Sequence, residues 1–294
     1  MILIADSGST KTDWCLIDKG TGKRLEIDTQ GINPIHMSSD QISTILADGL
    51  LPALKDKYDS SQELKMRDVL QVYFYGAGCT AGAGERISTA LSNVLKEWKL
   101  DVEVNSDLLG AARALCGKNA GIACILGTGA NSCLYDGEKI VDNVPPLGYI
   151  LGDEGSGAVL GKLFFNSMFK RRLPQNLSDK YLQECQLTYA DVIDRIYRQP
   201  LANRFLASTS VFIKQHLHEC EELRRMVVDN FREFFRKNVS KYIDTQSQRP
   251  TAHFVGSMAW AYEEQLREAA QEEKIEIGTI LKSPMQGLVE FHLI

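Results

Sequence analysis

Apolar residues at the start of the chain come in short alternating or continuous runs bounded by Gly, Asn and Asp. This pattern predicts three strands, near 1–6, 12–18 and 24–29, arranged as a meander. The period then changes. In "SSDQISTILADGLLPALKDKY" a capping position near Ser39 precedes Ile42, Ile45, Leu46, Leu50 and Leu54, which recur at helical spacing. "VLQVYFYGAG" reads as a strand, 83–98 as a helix and "LDVEVNSD" as a further strand. A meander followed by alternating helix and strand predicts an α/β class with a mixed sheet.

Near residue 120 the grammar restarts. "AGIACILGTGANSCLYDGEKIV" reads as strand, Gly/Thr turn, strand, turn and a third strand, after which 156–244 is largely helical. Set against the start of the chain, "LIADSGSTKTDWCLIDKG" and "CILGTGANSCLYDGE" share a strand, a Gly-Ser/Thr turn, a Cys-Leu second strand and an Asp/Gly exit. That points to an internal duplication in which each half offers one hairpin turn to a common cleft. A third small-residue turn follows: "TAHFVGSMAWAYEEQLREAAQEE" is a strand ending in Gly256-Ser257, then a helix with Met258, Tyr262, Leu266 and Ala269 on one face. Glycine at such a junction allows a ligand close to the backbone and to the helix N-terminal amides.

Length adds that 294 residues exceed one small core, so two lobes are expected. The net charge of −5 and the scattered Lys and Arg exclude the basic footprint of a nucleic-acid binder, so any phosphate must be held by local geometry. "MILIADSG" enters strand-like sequence without a signal-peptide pattern, and no apolar run reaches the roughly 18 residues of a membrane helix. A soluble, cytoplasmic protein is expected. Seven cysteines, at 15, 79, 116, 124, 133, 185 and 220, show neither C-x-x-C nor zinc spacing and read as core fillers in a reducing compartment.

The candidate chemistry lies in the turns. Gly8-Ser9-Thr10-Lys11-Thr12 is not a P-loop, because the required G-x-x-x-x-G-K-[ST] is missing and a strand follows instead of a helix. Its amides and hydroxyls can still form an anion-binding concavity, with Lys11 as a point charge; an ordinary hairpin of turn formers is the alternative. Asp6 is placed to reach magnesium through water. Gly127-Thr128-Gly129-Ala130-Asn131 repeats the device. Asp107 sits where a strand becomes a helix, where a carboxylate stays ionised and can take a proton from an attacking hydroxyl, or merely cap the helix. "LGYILGDEGSGAVLG" frames Asp153 and Glu154 with glycines; Ser156 and these glycines read as unsuited to a core, and the acidic pair suits recognition of sugar hydroxyls. Gly76-x-Gly78-x-x-Ala81 with Glu103 raises a rival dinucleotide site and an NAD-dependent oxidoreductase.

Taken in order, "ADSGSTKTDW", "GINP", "SDLLGAARAL", "ILGTGANS", "GYILGDEGSG" and "FVGSMA" resemble the sugar kinase, actin and heat-shock ATPase superfamily, above all its N-acetylglucosamine kinase and BadF/BadG/BcrA/BcrD ATPase branch. The resemblance implies a two-lobed actin-like ATPase fold, ribonuclease H-like, with duplicated mixed-sheet domains and a cleft between them. It divides the chain into 1–115, with a helix about 284–294 packing back on it, and 116–283. It implies ATP and Mg²⁺, with Asp6 at the metal, Gly8, Ser9, Thr10, Lys11, Thr12, Gly127, Thr128 and Gly129 at the phosphates, and Gly256 and Ser257 at the adenosine. Asp107 would be the base for a sugar hydroxyl, O6 being the expected one, and Asn33, Asn131, Gly148, Tyr149 and Asp153 would contact the sugar. The implied activity is phosphorylation of N-acetylglucosamine, a small-molecule sugar being the partner and a homodimer a candidate assembly. A BadF-type ATPase that switches a partner protein is the alternative, but Cys116 and Cys124 lack the spacing of the cluster-binding cysteines found in dehydratase activators. Glu154 is left open between metal, sugar and structure.

Overall fold

The computed structural model of this chain describes residues 1–8, 10–61, 69–79, 81–243 and 251–293. The chain divides into two compact units, Met1–Lys118 with Pro284–Ile294, and Asn119–Ser283.

The first unit is built on a five-stranded sheet of β1 (Ile2–Ser7), β2 (Lys11–Ile17), β3 (Arg24–Gln30), β4 (Val69–Gly76) and β5 (Lys99–Ser106), in the order β3-β2-β1-β4-β5. β1 runs antiparallel to β2 and parallel to β4, which in turn is parallel to β5. Both faces of β1 are covered, which is why "ILIA" is continuously apolar. Ile2 and Ile4 pack with Tyr75, Leu288 and Val289 on one face. Leu3 and Ala5 pack with Trp14, Val72 and Phe74 on the other.

The first helix, Ser39–Ile45, starts one residue earlier than its sequence signal suggests. Ser38 is the cap, closing a reciprocal box with Gln41. One π turn, Leu46–Leu50, leads into Leu51–Ser61, and Ile42, Leu46, Leu50 and Leu54 are all buried. The helix Ala81–Val94 buries Ala83, Ile87, Ala90 and Leu91, and the helix Asp107–Cys116 follows β5 directly. A helix near the end of the chain, Met285–Leu293, returns to this unit. It is pinned by a polar cluster: Arg113 donates to the Tyr75 hydroxyl (2.7 Å) and to Glu103 (2.8 Å), while Tyr75 bonds His292 Nε2 (2.8 Å). Burial, aided by the Arg113 charge, pushes His292 down to about 4, so the ring is neutral.

The second unit repeats this plan. β6 (Gly121–Leu126), β7 (Ala130–Tyr135), β8 (Ile140–Asp142), β9 (Ala252–Val255) and β10 (Ile277–Leu281) lie in the order β10-β9-β6-β7-β8. β6 is antiparallel to β7 and parallel to β9. Strand for strand, β6 to β10 take the places of β1 to β5, which extends the similarity seen between the two hairpins to whole sheets. β10 has no counterpart among the strands expected from the sequence.

The helical stretch resolves into Gly157–Phe169, Gln175–Glu184, Tyr189–Tyr197, Ala202–His216 and Glu221–Lys237, then a 3₁₀ turn, Val239–Tyr242; residue 244 of the expected span lies outside the described residues. Their buried faces, including Phe164, Leu206, Phe212, Phe231 and Phe235, form one core with the apolar side chains of β6 and β9. None of the seven cysteines is in a disulfide, and all but Cys185 are buried. Among the described residues no helix is long and apolar enough to cross a membrane.

Candidate active site

In the first unit, the candidate residues gather at the carboxyl ends of the parallel strands. Asp6 is in register with Tyr75 of β4, which is in register with Asn105 of β5. Two strand spacings, about 10 Å, therefore separate the backbone of Asp6 from the entry to the Asp107 helix. Asp6 points to the sheet face of Ile2, Ile4 and Tyr75, the face on which this helix packs. Burial, then the charges of Asp13 and Asp107, push Asp6 up to about 7. Asp107 is also raised by burial, which outweighs its bonds from the Leu108 amide (2.9 Å) and its own amide. The helix entrance therefore does not hold its acidity at the ordinary value expected from the helix dipole. Ser106 is the cap, accepting from the Leu109 amide at 3.2 Å. Cys79, pushed up to about 12 by burial and by the Asp107 charge, is an inert thiol beside it.

The hairpin between β1 and β2 closes with the Gly8 amide on the Lys11 carbonyl (3.0 Å). Ser9 lies outside the described residues. Thr12 faces inward: its buried hydroxyl meets Ser7 Oγ (2.7 Å) and donates to the Gln30 carbonyl (3.2 Å). Ser7 Oγ in turn both donates to the Ile32 carbonyl and accepts the Ile32 amide, each at 3.0 Å. These hydroxyls fasten the hairpin to the 30–32 segment. Lys11 is likewise engaged, with Asp13 at 2.6 Å and Asp28 at 2.8 Å. Among the described residues of the turn, the backbone and Thr10 carry no such side-chain tie.

Gly31, which sequence reasoning passed over, makes the fastening possible. A Cβ there would stand 2.4 Å from the Gly8 carbonyl oxygen and 2.7 Å from the Thr10 nitrogen, so only glycine lets the 31–33 segment lie under the turn. Asn33 follows, its Oδ1 accepting the Ile35 amide (2.9 Å), so its NH₂ group is the donor that remains. Gly78 (φ +78°) abuts that same Oδ1, 2.5 Å from where a Cβ would sit. The Gly76-x-Gly78 motif thus serves close packing of two loops, and the strand before it lies inside a meander-led sheet. This packing accounts for Gly78 without a dinucleotide.

In the second unit, the Gly127–Gly129 turn is stapled to a helix entrance. The Gly157 amide donates to the Gly127 carbonyl (2.9 Å) and the Ala158 amide to the Thr128 carbonyl (3.1 Å). Gly256, with Ser257 exposed after it, follows β9 one strand away, where Ile125 is in register with Val255. Asp153 has left-handed backbone (φ 56°), and its carboxylate is pushed up to about 6 by burial and by Glu154, against amide bonds from Ala130 and Gly148 and the Lys162 charge. Asp153 thus joins Ala130, in the strand after the turn, to Gly148. Asn131 Oδ1 accepts from Asn143 (3.0 Å) and from the Ser132 amide (2.9 Å), leaving its NH₂ as donor, as at Asn33. Tyr242 braces the segment, taking the Val144 amide (2.7 Å) and donating to the Ser132 carbonyl (3.0 Å).

Three readings of the "GDEGSG" string change. Ser156 is fully buried, capping the helix at Val159 (3.1 Å). A Cβ at Gly155 (φ +82°) would stand 2.9 Å from Phe234 Cβ, and one at Gly161 would stand 2.1 Å from the Leu206 carbonyl oxygen, so these glycines are core contacts. They looked unsuited to a core because their packing partners lie some fifty to eighty residues away. Glu154 forms an ion pair, its Oε1 lying 3.0 Å from Lys237 Nζ. Asn230, also absent from the sequence reading, holds the string: it accepts the Gly155 amide (2.9 Å) and donates to the Ser156 carbonyl (3.1 Å). The Tyr149 ring packs with the helical core and lines a cavity beside Phe165.

The donor set fits a magnesium–nucleotide. Asp6 is crowded by Asp13 and Asp107, which drives it up and which a cation would reverse. Among the described residues no cluster of three or more His, Cys, Asp or Glu could cage a metal by protein alone.

Over its whole length the chain is similar to a Porphyromonas gingivalis protein described as a candidate N-acetylglucosamine kinase, with 47% identity, a TM-score of 0.90 and 99% of that protein covered. A Chromobacterium violaceum protein with the same description shares the fold at 17% identity and a TM-score of 0.75, across 100% of this chain and 98% of that one. An ethanolamine utilization protein of Carboxydothermus hydrogenoformans has a TM-score of 0.51 at 14% identity, across 99% of this chain and 88% of that one. No protein-family model matches the chain, and no curated protein matches it.

Proposed function

Since this chain belongs to the N-acetylglucosamine kinase branch of the sugar kinase, actin and heat-shock ATPase superfamily, and has its actin-like ATPase fold, we propose that it phosphorylates an amino sugar from ATP, with the 6-hydroxyl of N-acetylglucosamine as acceptor. The observation that carries the reading is the pair Asp6 and Asp107 at one sheet edge, both raised by burial, beside the Gly8–Lys11 hairpin.

Each of these groups then has a task. Asp107, its basicity raised by burial, takes the proton of the acceptor hydroxyl as that oxygen bonds to the γ-phosphorus and ADP leaves. The Asn33 and Asn131 amide groups donate to sugar oxygens, while Asp153 accepts from sugar hydroxyls. The backbone of Gly8 to Lys11, with Thr10, and that of Gly127 to Gly129 hold phosphate oxygens, and Gly256 with Ser257 lies against the adenosine. Asp6 would hold magnesium, and the ion, when bound, would supply neutralisation of phosphate charge. Because phosphoryl transfer depends mainly on positioning and electrostatics, these preset donors account for the rate without covalent catalysis.

A coupled assay for ADP across a panel of amino sugars tests this. Sugar-dependent, magnesium-dependent ADP release is expected. ADP release indifferent to every sugar, with a nucleotide-driven change in scattering, would replace it with the partner-switching ATPase.

A further inference from the structure

The helices Gly157–Phe169 and Tyr189–Tyr197 turn matching stripes toward a cavity of about 740 Å³ that reaches the buried residues Val192 and Leu206. Its walls are aromatic: Phe165 stacks on Phe169 with centroids 6.1 Å apart, and Tyr189 meets Phe169 edge-on at 4.9 Å. The volume lies within the range of about 300–1,000 Å³ typical of small-molecule sites. At the rim, Tyr189 and Tyr197 are 60% and 77% exposed, so the mouth is open and apolar.

The charge of this cavity is one-sided. Lys162 and Lys170 line it, no Asp or Glu does, and neither lysine forms an ion pair among the described residues. Lys162 Nζ is held by the Tyr149 carbonyl at 2.5 Å, and its charge reaches only as far as Asp153, outside the lining. Two ammonium groups against an apolar wall gain most from a ligand that brings its own anion and covers the rings. The enclosed volume, within the small-molecule range, suits a compact ligand better than the broad face of a second chain.

We propose that this cavity is a binding site for a small amphipathic anion, an aromatic or acyl body ending in one carboxylate, sulfonate or phosphate group. It adjoins the residues assigned to the sugar, sharing Tyr149 on its wall and reaching Asp153 through the Lys162 charge, while none of its other lining residues is assigned to sugar or nucleotide.

The test is binding of 8-anilinonaphthalene-1-sulfonate to the folded full chain, by fluorescence and equilibrium dialysis, with no turnover involved. One saturable site per chain is expected. Lys170→Glu, at an exposed position, should weaken it about tenfold by setting a like charge against the sulfonate. Ile193→Trp should abolish binding by filling the cavity, with near-UV circular dichroism confirming the native fold; if that variant does not fold, Lys170→Glu decides. The uncharged N-phenyl-1-naphthylamine should bind about tenfold more weakly than the sulfonate. Non-saturable uptake, or affinity unchanged by Lys170→Glu and by a folded Ile193→Trp, would overturn the proposal. So would a dimer that excludes the probe and is dissociated by Tyr197→Glu, since the cavity would then belong to a second copy.

Discussion

Replacing Asp6 by asparagine should make the ligand-free protein more stable at pH 8 while disabling it. Below about pH 4 the carboxyl is protonated in folded and unfolded chains alike. Between the ordinary value of 3.8 and the folded value of about 7, the unfolded chain ionises and the folded chain does not, so wild-type stability falls as pH rises through that window. A gap of about three pKa units corresponds to about 4 kcal/mol, and relaxation around a charged Asp6 makes this an upper bound; about 2–4 kcal/mol is expected. Asparagine is nearly isosteric and never ionises, so the variant escapes this cost. With a urea slope of roughly 2 kcal/mol/M, the midpoint for the unit that contains β1 should rise by about 1–2 M at pH 8 and by less than half as much, about 0.4–0.8 M, at pH 5. Urea titrations of both proteins at the two pH values, without nucleotide or magnesium, provide the measurement. An asparagine variant equal to or weaker than wild type at pH 8 would refute the burial and charge crowding assigned to Asp6, whatever happened to its activity.

Asp107→Asn should reduce turnover about 10²- to 10⁴-fold while calorimetry finds ATP binding within a few-fold of wild type; near-normal turnover would remove Asp107 as the base. Asn230→Ala leaves the Gly155 amide and the Ser156 carbonyl without their side-chain partner, so urea unfolding should show a loss of about 2–3 kcal/mol and the KM for sugar should rise, because the Asp153 segment is loosened. Glu154→Gln should cost less than about 1 kcal/mol, since Lys237 is more than half exposed, and should keep turnover within about threefold of wild type. Asp153→Asn, by contrast, should raise the sugar KM at least tenfold; equal effects at 153 and 154 would undo the division of labour drawn here.

Much of the scaffold was readable from spacing alone. The opening meander, the capped first helix and the restart near residue 120 follow from local period and turn chemistry, which act over a few residues. The order of both sheets then gave the fifteen-residue echo between the hairpins a structural meaning. The site was legible as a set of places but less so as a set of tasks. Thr12 looks like a ligand in sequence, yet its hydroxyl points inward to Ser7 and Gln30; Lys11 looks like a phosphate contact, yet two aspartates claim it. Gly31 and Asn230 carry no local signal, because what each does depends on a partner that arrives from another segment: the hairpin beneath which Gly31 passes, and the string 75 residues away that Asn230 grips. β10 escaped notice for a related reason, being short and only partly buried.

The return of Met285–Leu293 to the first sheet sets the order in which the molecule can be finished. Until that helix leaves the ribosome, Ile2, Ile4 and Tyr75 lack the cover of Leu288 and Val289, and the Tyr75 hydroxyl lacks His292. The whole of Asn119–Ser283 is synthesised in between, which at ordinary translation speed takes on the order of ten to thirty seconds. During that interval the nascent amino-terminal sheet carries a sticky apolar flank, a natural foothold for chaperones. A premature stop after residue 283 would leave that flank bare for good, in a polypeptide that still contains every residue assigned to catalysis.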